Sequence, residues 1–241
     1  MTENAPFTPE TFPSVLRRTY KRQTNDVRVM QKKVVGVTNS KGGTGKSTIA
    51  IHLACCALGN GRNVSIVDTD SQGSVKDWAG VRPDDLETPD VVYEDDPYAL
   101  QITIERLQSD FVVVDSPAGL SEMTGEVLGL SDLALVPVVP SVLDLWGVGE
   151  FKKVLEEQAA KGLEVAFITS KYDHASTLSD ELAEFLSEEY PEHVHLETGI
   201  CDRVAYKRQM AKGKTVLEGN DWKAKNEIAE VYHDIEELLS L

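Results

Sequence analysis

Short, mostly apolar runs recur along the chain: Val34-Val35-Gly36-Val37, Val64-Ser65-Ile66-Val67, Phe111-Val112-Val113-Val114, Leu133-Ala134-Leu135-Val136 and Val165-Ala166-Phe167-Ile168. Runs of this length, rich in valine and lacking polar alternation, predict strands buried on both faces, as in a parallel sheet. Between them lie stretches of helical periodicity: Ile49 to Leu58, Tyr98 to Gln108 with Leu100, Ile104 and Leu107 in step, and Ser176 to Glu189. The last segment, Asn226 to Leu241, sets Ile228, Val231, Tyr232, Ile235 and Leu238 on one face and Glu227, Glu230, Asp234, Glu236 and Glu237 on the other. Strand and helix alternate, which predicts an α/β fold: a doubly wound, mainly parallel sheet with helices on both faces and its ligand edge at the strands' carboxyl ends. The acid- and proline-rich stretch Trp78 to Asp96 reads as a surface excursion with one short strand at Val91-Val92-Tyr93. His193 and His195 fall on one face of an alternating segment, and without a third ligand they are expected to face solvent.

Between the first strand and the first helix stands Ser40-Lys41-Gly42-Gly43-Thr44-Gly45-Lys46-Ser47-Thr48. A buried strand that runs into a glycine turn and then a helix aims backbone amides at one anion, and no side chain blocks phosphate oxygens. Lys46 is placed to reach the β- and γ-phosphates and the Ser47 hydroxyl to ligate Mg²⁺, so Lys41, Gly42, Gly43, Thr44, Gly45, Lys46, Ser47 and Thr48 form the candidate nucleotide loop. The strict pattern has glycine where Ser40 stands; here Gly42 and Gly43 supply extra flexibility, and Lys41 adds a second cation. Two further strands end on acids: Asp68 in Asp68-Thr69-Asp70-Ser71-Gln72, and Asp115 in Asp115-Ser116-Pro117-Ala118-Gly119. Asp115 is the candidate Mg²⁺ ligand, and Gly119 makes Ser116 to Leu120 a candidate nucleotide-sensing switch.

Lys41 ahead of two glycines resembles the deviant Walker A box of the ParA/MinD family of dimerising ATPases. Asp68 to Gln72 resembles that family's Walker A′ box and Phe111 to Gly119 its Walker B box, and the likeness spans about residues 33 to 240. The resemblance implies ATP and Mg²⁺ as cofactors and slow, partner-stimulated hydrolysis. It makes Lys41, Lys46 and Asp70 the catalytic set: Lys41 crosses a homodimer interface to the partner's nucleotide, and Asp70 orients the attacking water. It gives Asp68 a supporting place in the Mg²⁺ shell beside Ser47 and Asp115. The segment from Gly199 resembles the one that contacts adenine in the family, which carries base contacts to Cys201 and Asp202, although relatives place proline at the first of these. The segment Ser141 to Leu145 opens a helix at the family's dimer face, where Trp146 is an interface anchor or a packed core residue. The implied cycle is that of the compact plasmid partition proteins. An ATP-bound sandwich dimer binds nonspecific double-stranded DNA and is released on hydrolysis, with a ParB-like or other centromere-binding partner protein, in the cytoplasm on the nucleoid. The alternatives are a MinD-like or other cargo-positioning ATPase and an ATP-dependent synthetase on the same fold.

Charge narrows how DNA would be held. With 24 Lys and Arg against 40 Asp and Glu, the formal net charge is −16, so the whole-molecule field repels nucleic acid. Arg203, Lys207, Arg208, Lys212 and Lys214 concentrate positive charge locally and are the candidate DNA-binding residues, against the plainer reading of a solvated helix face. Residues 1–32, with Pro6, Pro9, Pro13 and the run Arg17-Arg18-Thr19-Tyr20-Lys21-Arg22, form an arm ahead of the ATPase domain at 33–241, either touching phosphates or a partner or docking loosely. The three cysteines have neither disulfide-framework nor metal spacing and read as core filler. No apolar stretch approaches the ~20 residues of a membrane helix, and the last helix carries acids, not cations, opposite its apolar stripe, so no membrane partner is expected.

Overall fold

The apolar runs form the centre of a parallel sheet in the computed structural model, which describes residues 32–140, 149–173 and 178–241. The strands are β1 (Lys33–Val37), β2 (Val64–Asp68), β3 (Asp90–Tyr93), β4 (Phe111–Asp115), β5 (Leu133–Val138), β6 (Glu164–Tyr172), β7 (Val194–His195) and β8 (Ile200–Cys201). Their order is β3-β2-β4-β1-β5-β6-β7, with β8 also on β6, and every pairing is parallel. The helices are α1 (Lys46–Gly59), α2 (Ser74–Gly80), α3 (Pro97–Arg106), α4 (Glu122–Leu130), α5 (Gly149–Ala159), α6 (Leu178–Glu189), α7 (Val204–Met210) and α8 (Trp222–Leu238). Among the described residues no helix is long and apolar enough to cross a membrane.

Helix α1 is buried continuously from Ile49 to Ala57. A helix apolar on all sides must be covered on all sides. One side lies on the sheet; Ile228, Val231, Tyr232 and Ile235 of α8, with Tyr206, Val216 and Leu217, complete the same core. On the opposite face of the sheet, Leu100 and Ile104 of α3 and Met123 and Val127 of α4 cover Val34, Val67, Val112 and Val114. Cys55, Cys56 and Cys201 are all buried and form no disulfide, and burial pushes the Cys55 thiol up to about 12.

A single histidine ties α1 to the chain 164 residues later. His52 is fully buried, with Nδ1–H donating to the Thr48 carbonyl at 2.6 Å and Nε2 accepting from the Val216 amide at 3.1 Å. Those two partners require the neutral ring, and burial lowers its pKa to about 4.

Three expectations need correction. Trp78 belongs to α2 and is only 3% exposed, not part of a surface excursion. Its indole Nε1 donates to the Lys214 carbonyl at 3.4 Å, and the Arg82 guanidinium stacks 4.8 Å above its ring. Arg82 also donates to the Gly213 carbonyl and pairs with Glu218 at 3.0 Å, so the covering partners lie more than a hundred residues away, beyond any local pattern. Gly213 itself has φ +65°, and a Cβ there would stand 2.3 Å from the Val81 carbonyl oxygen, so the turn docks backbone to backbone. His193 and His195 are half-buried, not turned fully to solvent: both rings pack on Phe167, and burial lowers both pKa values. Glu227 and Glu236 leave the acidic outer face of α8 and are buried. Glu227 accepts from Arg203 and Tyr206, and Glu236 accepts from the Tyr232 hydroxyl and pairs with Arg62. Trp146, the segment 141–148 and the basic arm ahead of Gln31 lie outside the described residues.

His52 has its pKa depressed on folding, so it adds stability above its unfolded value near 6.5 that is lost as pH falls through about 4. Urea unfolding of the wild type and His52→Gln is expected to show a gap that narrows by up to ~3 kcal/mol between pH 7 and 4. An unchanged gap would mean the ring is not held neutral.

Candidate nucleotide site

Three strands end together. The register sets Val37 and Asp68 each opposite Asp115, so the loops after β1, β2 and β4 open at one level on the carboxyl edge. The first of these loops becomes α1. Its cap residue, Gly45, has φ 94° and Gly43 has φ 76°, conformations that glycine adopts without a Cβ penalty. The cap residue of α1 has no side chain to offer, whereas Asp96, Ser121 and Asp221 cap α3, α4 and α8. The first-turn amides of α1 are therefore left for an anion.

Lys46 lies in this loop, 7% exposed, with its Nζ donating to the Lys41 carbonyl at 3.0 Å. Burial lowers its pKa, while Asp115 and Asp70 pull it back up. Lys41 is half-buried, and its amide donates to Asn39 Oδ1 at 2.9 Å. Asn39 in turn donates from Nδ2 to the Pro137 carbonyl at 2.7 Å, stapling the loop to the end of β5. The loop after β4 closes over the glycines: the Gly119 amide, at φ 96°, donates to the Ser40 carbonyl at 2.9 Å. That contact joins the candidate switch to the phosphate loop.

The two strand-end carboxylates have different surroundings. Asp68 accepts from the Asp70, Val75 and Lys76 amides at 3.1–3.2 Å, so it caps α2 from below. Asp115 is fully buried, and neither of its oxygens has a hydrogen-bond partner among the described residues. Burial pushes its pKa up to about 7 against the opposing pull of Ser47 and Lys46. The buried Thr44 hydroxyl is also unpartnered. An orphaned carboxylate beside a loop serine fits Mg²⁺, which takes one or two protein oxygens and fills its octahedron with water and phosphate. The described residues contain no cluster of three or more His, Cys, Asp or Glu set to cage a metal. Asp115 and Ser47 would hold the ion, which when bound neutralises phosphate charge. Asp70 stands at the rim, its Oδ1 accepting from the Gln72 amide at 2.9 Å.

The model of the CbiA family, the CobQ/CobB/MinD/ParA nucleotide binding domain, matches residues 35–216. The chain belongs to this family. Maintenance of carboxysome distribution protein A of Halothiobacillus neapolitanus is 30% identical over 190 residues, covering 76% of this chain and 86% of that protein. The chromosome-partitioning ATPase Soj of Thermus thermophilus is 28% identical over 218 residues, covering 76% and 87%. In fold, the septum site-determining protein MinD of Pyrococcus horikoshii, solved with Mg-ADP, superimposes at TM-score 0.70 with 20% identity over 87% of this chain and 98% of that one. As a member of the ParA/MinD branch the chain is an ATPase; Mg-ADP is what the Pyrococcus horikoshii protein holds.

Within this family frame the remaining candidate residues divide. Cys201 is buried at the end of β8, with its amide donating to Glu227, whereas Asp202 is exposed and pairs with Lys207 at 2.8 Å. Arg203 is turned onto Glu227 and Cys201 Sγ, so its charge is locally neutralised. Arg208 and Lys212 are exposed and line an open cleft between α7 and the start of α8. Two site residues escaped the sequence reading. Asn39 carries no motif, and only the staple it forms identifies it. Lys171, at φ 54°, donates from Nζ to the Gly43 carbonyl; its position at the carboxyl end of a strand was the available signal.

Replacing Asp115 by Asn removes a buried charge that desolvation disfavours more than Lys46 and Ser47 favour it. The nucleotide-free variant is expected to melt higher by about 2–6 °C, equivalent to roughly 1–2 kcal/mol, in a calorimetric scan at pH 7.5. The increment that Mg²⁺ adds to the stabilisation by ATP alone in the wild type should be lost in the same variant, and its retention would remove Asp115 from the ion.

Proposed function

We propose that this chain is a ParA-like, Mg²⁺-dependent ATPase that positions cargo by cycling between a monomer and an ATP-bound homodimer on nonspecific double-stranded DNA. The observation that carries the reading is Lys41. Its amide is held by Asn39 and its carbonyl by Lys46, which anchors the signature lysine at the mouth of the phosphate loop. Lys41 then reaches the second subunit's nucleotide, Lys46 and the α1 amides bind the phosphates, and Asp70 positions water, with Asp68 supporting the ion shell. Cys201 and Asp202 lie beside the base, Cys201 through its backbone because its thiol is buried. Two relatives support cargo positioning by their names, one a carboxysome-distribution protein and one a chromosome-partitioning ATPase.

DNA contact falls to the segment that carries Arg203, Lys207, Arg208, Lys212 and Lys214. Arg208 and Lys212 lead it, since Arg203 is paired inward and the exposed Lys207–Asp202 pair exchanges readily for phosphate. Phosphate contacts of this kind bind any duplex and weaken steeply with salt. A ParB-like or other partner protein accelerates hydrolysis, and the released monomer returns from the nucleoid.

Lys41→Ala is expected to abolish ATP-dependent dimerisation in light scattering and salt-sensitive retention on duplex DNA, while the monomer still binds nucleotide. Asp70→Ala is expected to accumulate the ATP-bound dimer. Undiminished dimerisation of the Lys41 variant would overturn the cycle, and an ATPase rate indifferent to duplex DNA at low salt would favour a synthetase.

A further inference from the structure

Helix α3 has a face that nothing in the described chain covers. Its inner side buries Leu100 and Ile104 against the sheet. On its outer side Tyr98 is 78% exposed and Ile102 51% exposed, one turn apart on a single stripe. Acids rim that stripe: Asp95, Asp96, Glu105 and Glu122 are all exposed, and the Tyr98 hydroxyl lies 3.5 Å from Glu122 Oε2. Exposed tyrosine and isoleucine inside an acidic border suit a partner that is both basic and partly apolar.

The chain supplies such a segment and delivers it to the same helix. Lys32, where the described chain begins, donates from Nζ to the carbonyls of Ile104 at 2.6 Å, Leu107 at 2.9 Å and Glu105 at 3.3 Å. A cation on the last carbonyls of a helix satisfies groups that have no intrahelical partner and opposes the negative end of the dipole. Residues 1–31 therefore join the domain at the carboxyl end of α3. Within them, Ser14 to Arg22 carries Arg17, Arg18, Lys21 and Arg22 with no acid, together with Val15, Leu16 and Tyr20. Reach is sufficient: the ten residues from Arg22 to Lys32 extend up to ~33–36 Å, and a ten-residue helix is about 15 Å long.

We propose that residues 14–22 dock along the outer face of α3 in the same chain, their cations against Asp95, Asp96 and Glu122 and their apolar side chains on Tyr98 and Ile102. The amino end of α3 adjoins the carboxyl edge of the sheet. The Glu94 amide there donates to the Asp68 carbonyl, and Tyr93 pairs with Asp68 in register. A docked arm thus lies beside the loop that carries Asp70 and occupies the face that another basic segment would take.

The test uses the full chain without nucleotide or DNA, so its outcome is separate from that of the ATPase cycle. A photo-crosslinking benzoylphenylalanine replaces Tyr98 in one variant and Ile102 in a second, and products are mapped by mass spectrometry on mixed isotopically light and heavy protein. Crosslinks within one chain to residues 14–22 are expected. Their yield should fall severalfold on going from ~0.05 M to ~0.5 M salt, where the screening length shortens about threefold. They should also be lost when Arg17, Arg18, Lys21 and Arg22 are changed together to Glu. Crosslinks only between chains, crosslinks that avoid residues 1–31, or yields indifferent to charge reversal would each overturn the proposal.

Discussion

Parallel pairing without slippage between β1, β4 and β2 is the constraint on which the site depends. It ends three strands level, and so brings the glycine loop, Asp68 and Asp115 to one edge. A slip of one residue would turn each carboxylate to the other face of the sheet. Two buried carboxylates at neighbouring strand ends are costly unless compensated. Asp68 is compensated by three amides; Asp115 has Lys46 and Ser47 nearby but no hydrogen bond of its own among the described residues. Burial therefore disfavours the charge of Asp115, a cost that a bound divalent cation would relieve, and such an ion would couple its binding to stability.

From this edge, packed structure continues to the basic segment. Asp68 caps the amino end of α2, and the far end of α2 carries Trp78 and leads to Arg82, which grip Lys214, Gly213 and Glu218. Helix α1 makes a second connection, from the phosphate loop through His52 to Val216. Both routes meet the chain just after Arg208 and Lys212. The nucleotide edge and the basic surface are thus parts of one close-packed body, in which a displacement at one is resisted at the other.

Much of the fold was legible because its signals are local. The bounds of β2 and β4 follow directly from apolar runs that end on aspartate, and the loop from Lys41 to Thr48 announces phosphate chemistry by glycine and lysine alone. What escaped depends on distant partners. Trp78 lies in a helix of seven residues, too short to show a period, and is buried by residues from the other end of the chain. Glu227 and Glu236 follow the acidic stripe by spacing, yet Arg203, Tyr206, Arg62 and Tyr232 draw them inward. The two histidines alternate as an exposed edge would, but Phe167 on the adjacent strand offers them an aromatic surface.

The sequence by itself determined the layered α/β architecture, the glycine loop that opens α1 and the acids that end the neighbouring strands, because periodicity, glycine placement and strand-end charge act over a few residues. Tertiary structure alone decided which charges remain available. It set Asp68 on the amino end of α2, left Asp115 without a hydrogen bond among the described residues, turned Arg203 onto Glu227 and brought Asn39 and Lys171 to the loop. The reason is that hydrogen bonding and desolvation are set by whatever packs alongside a group, and the strand order brings those neighbours from remote parts of the chain.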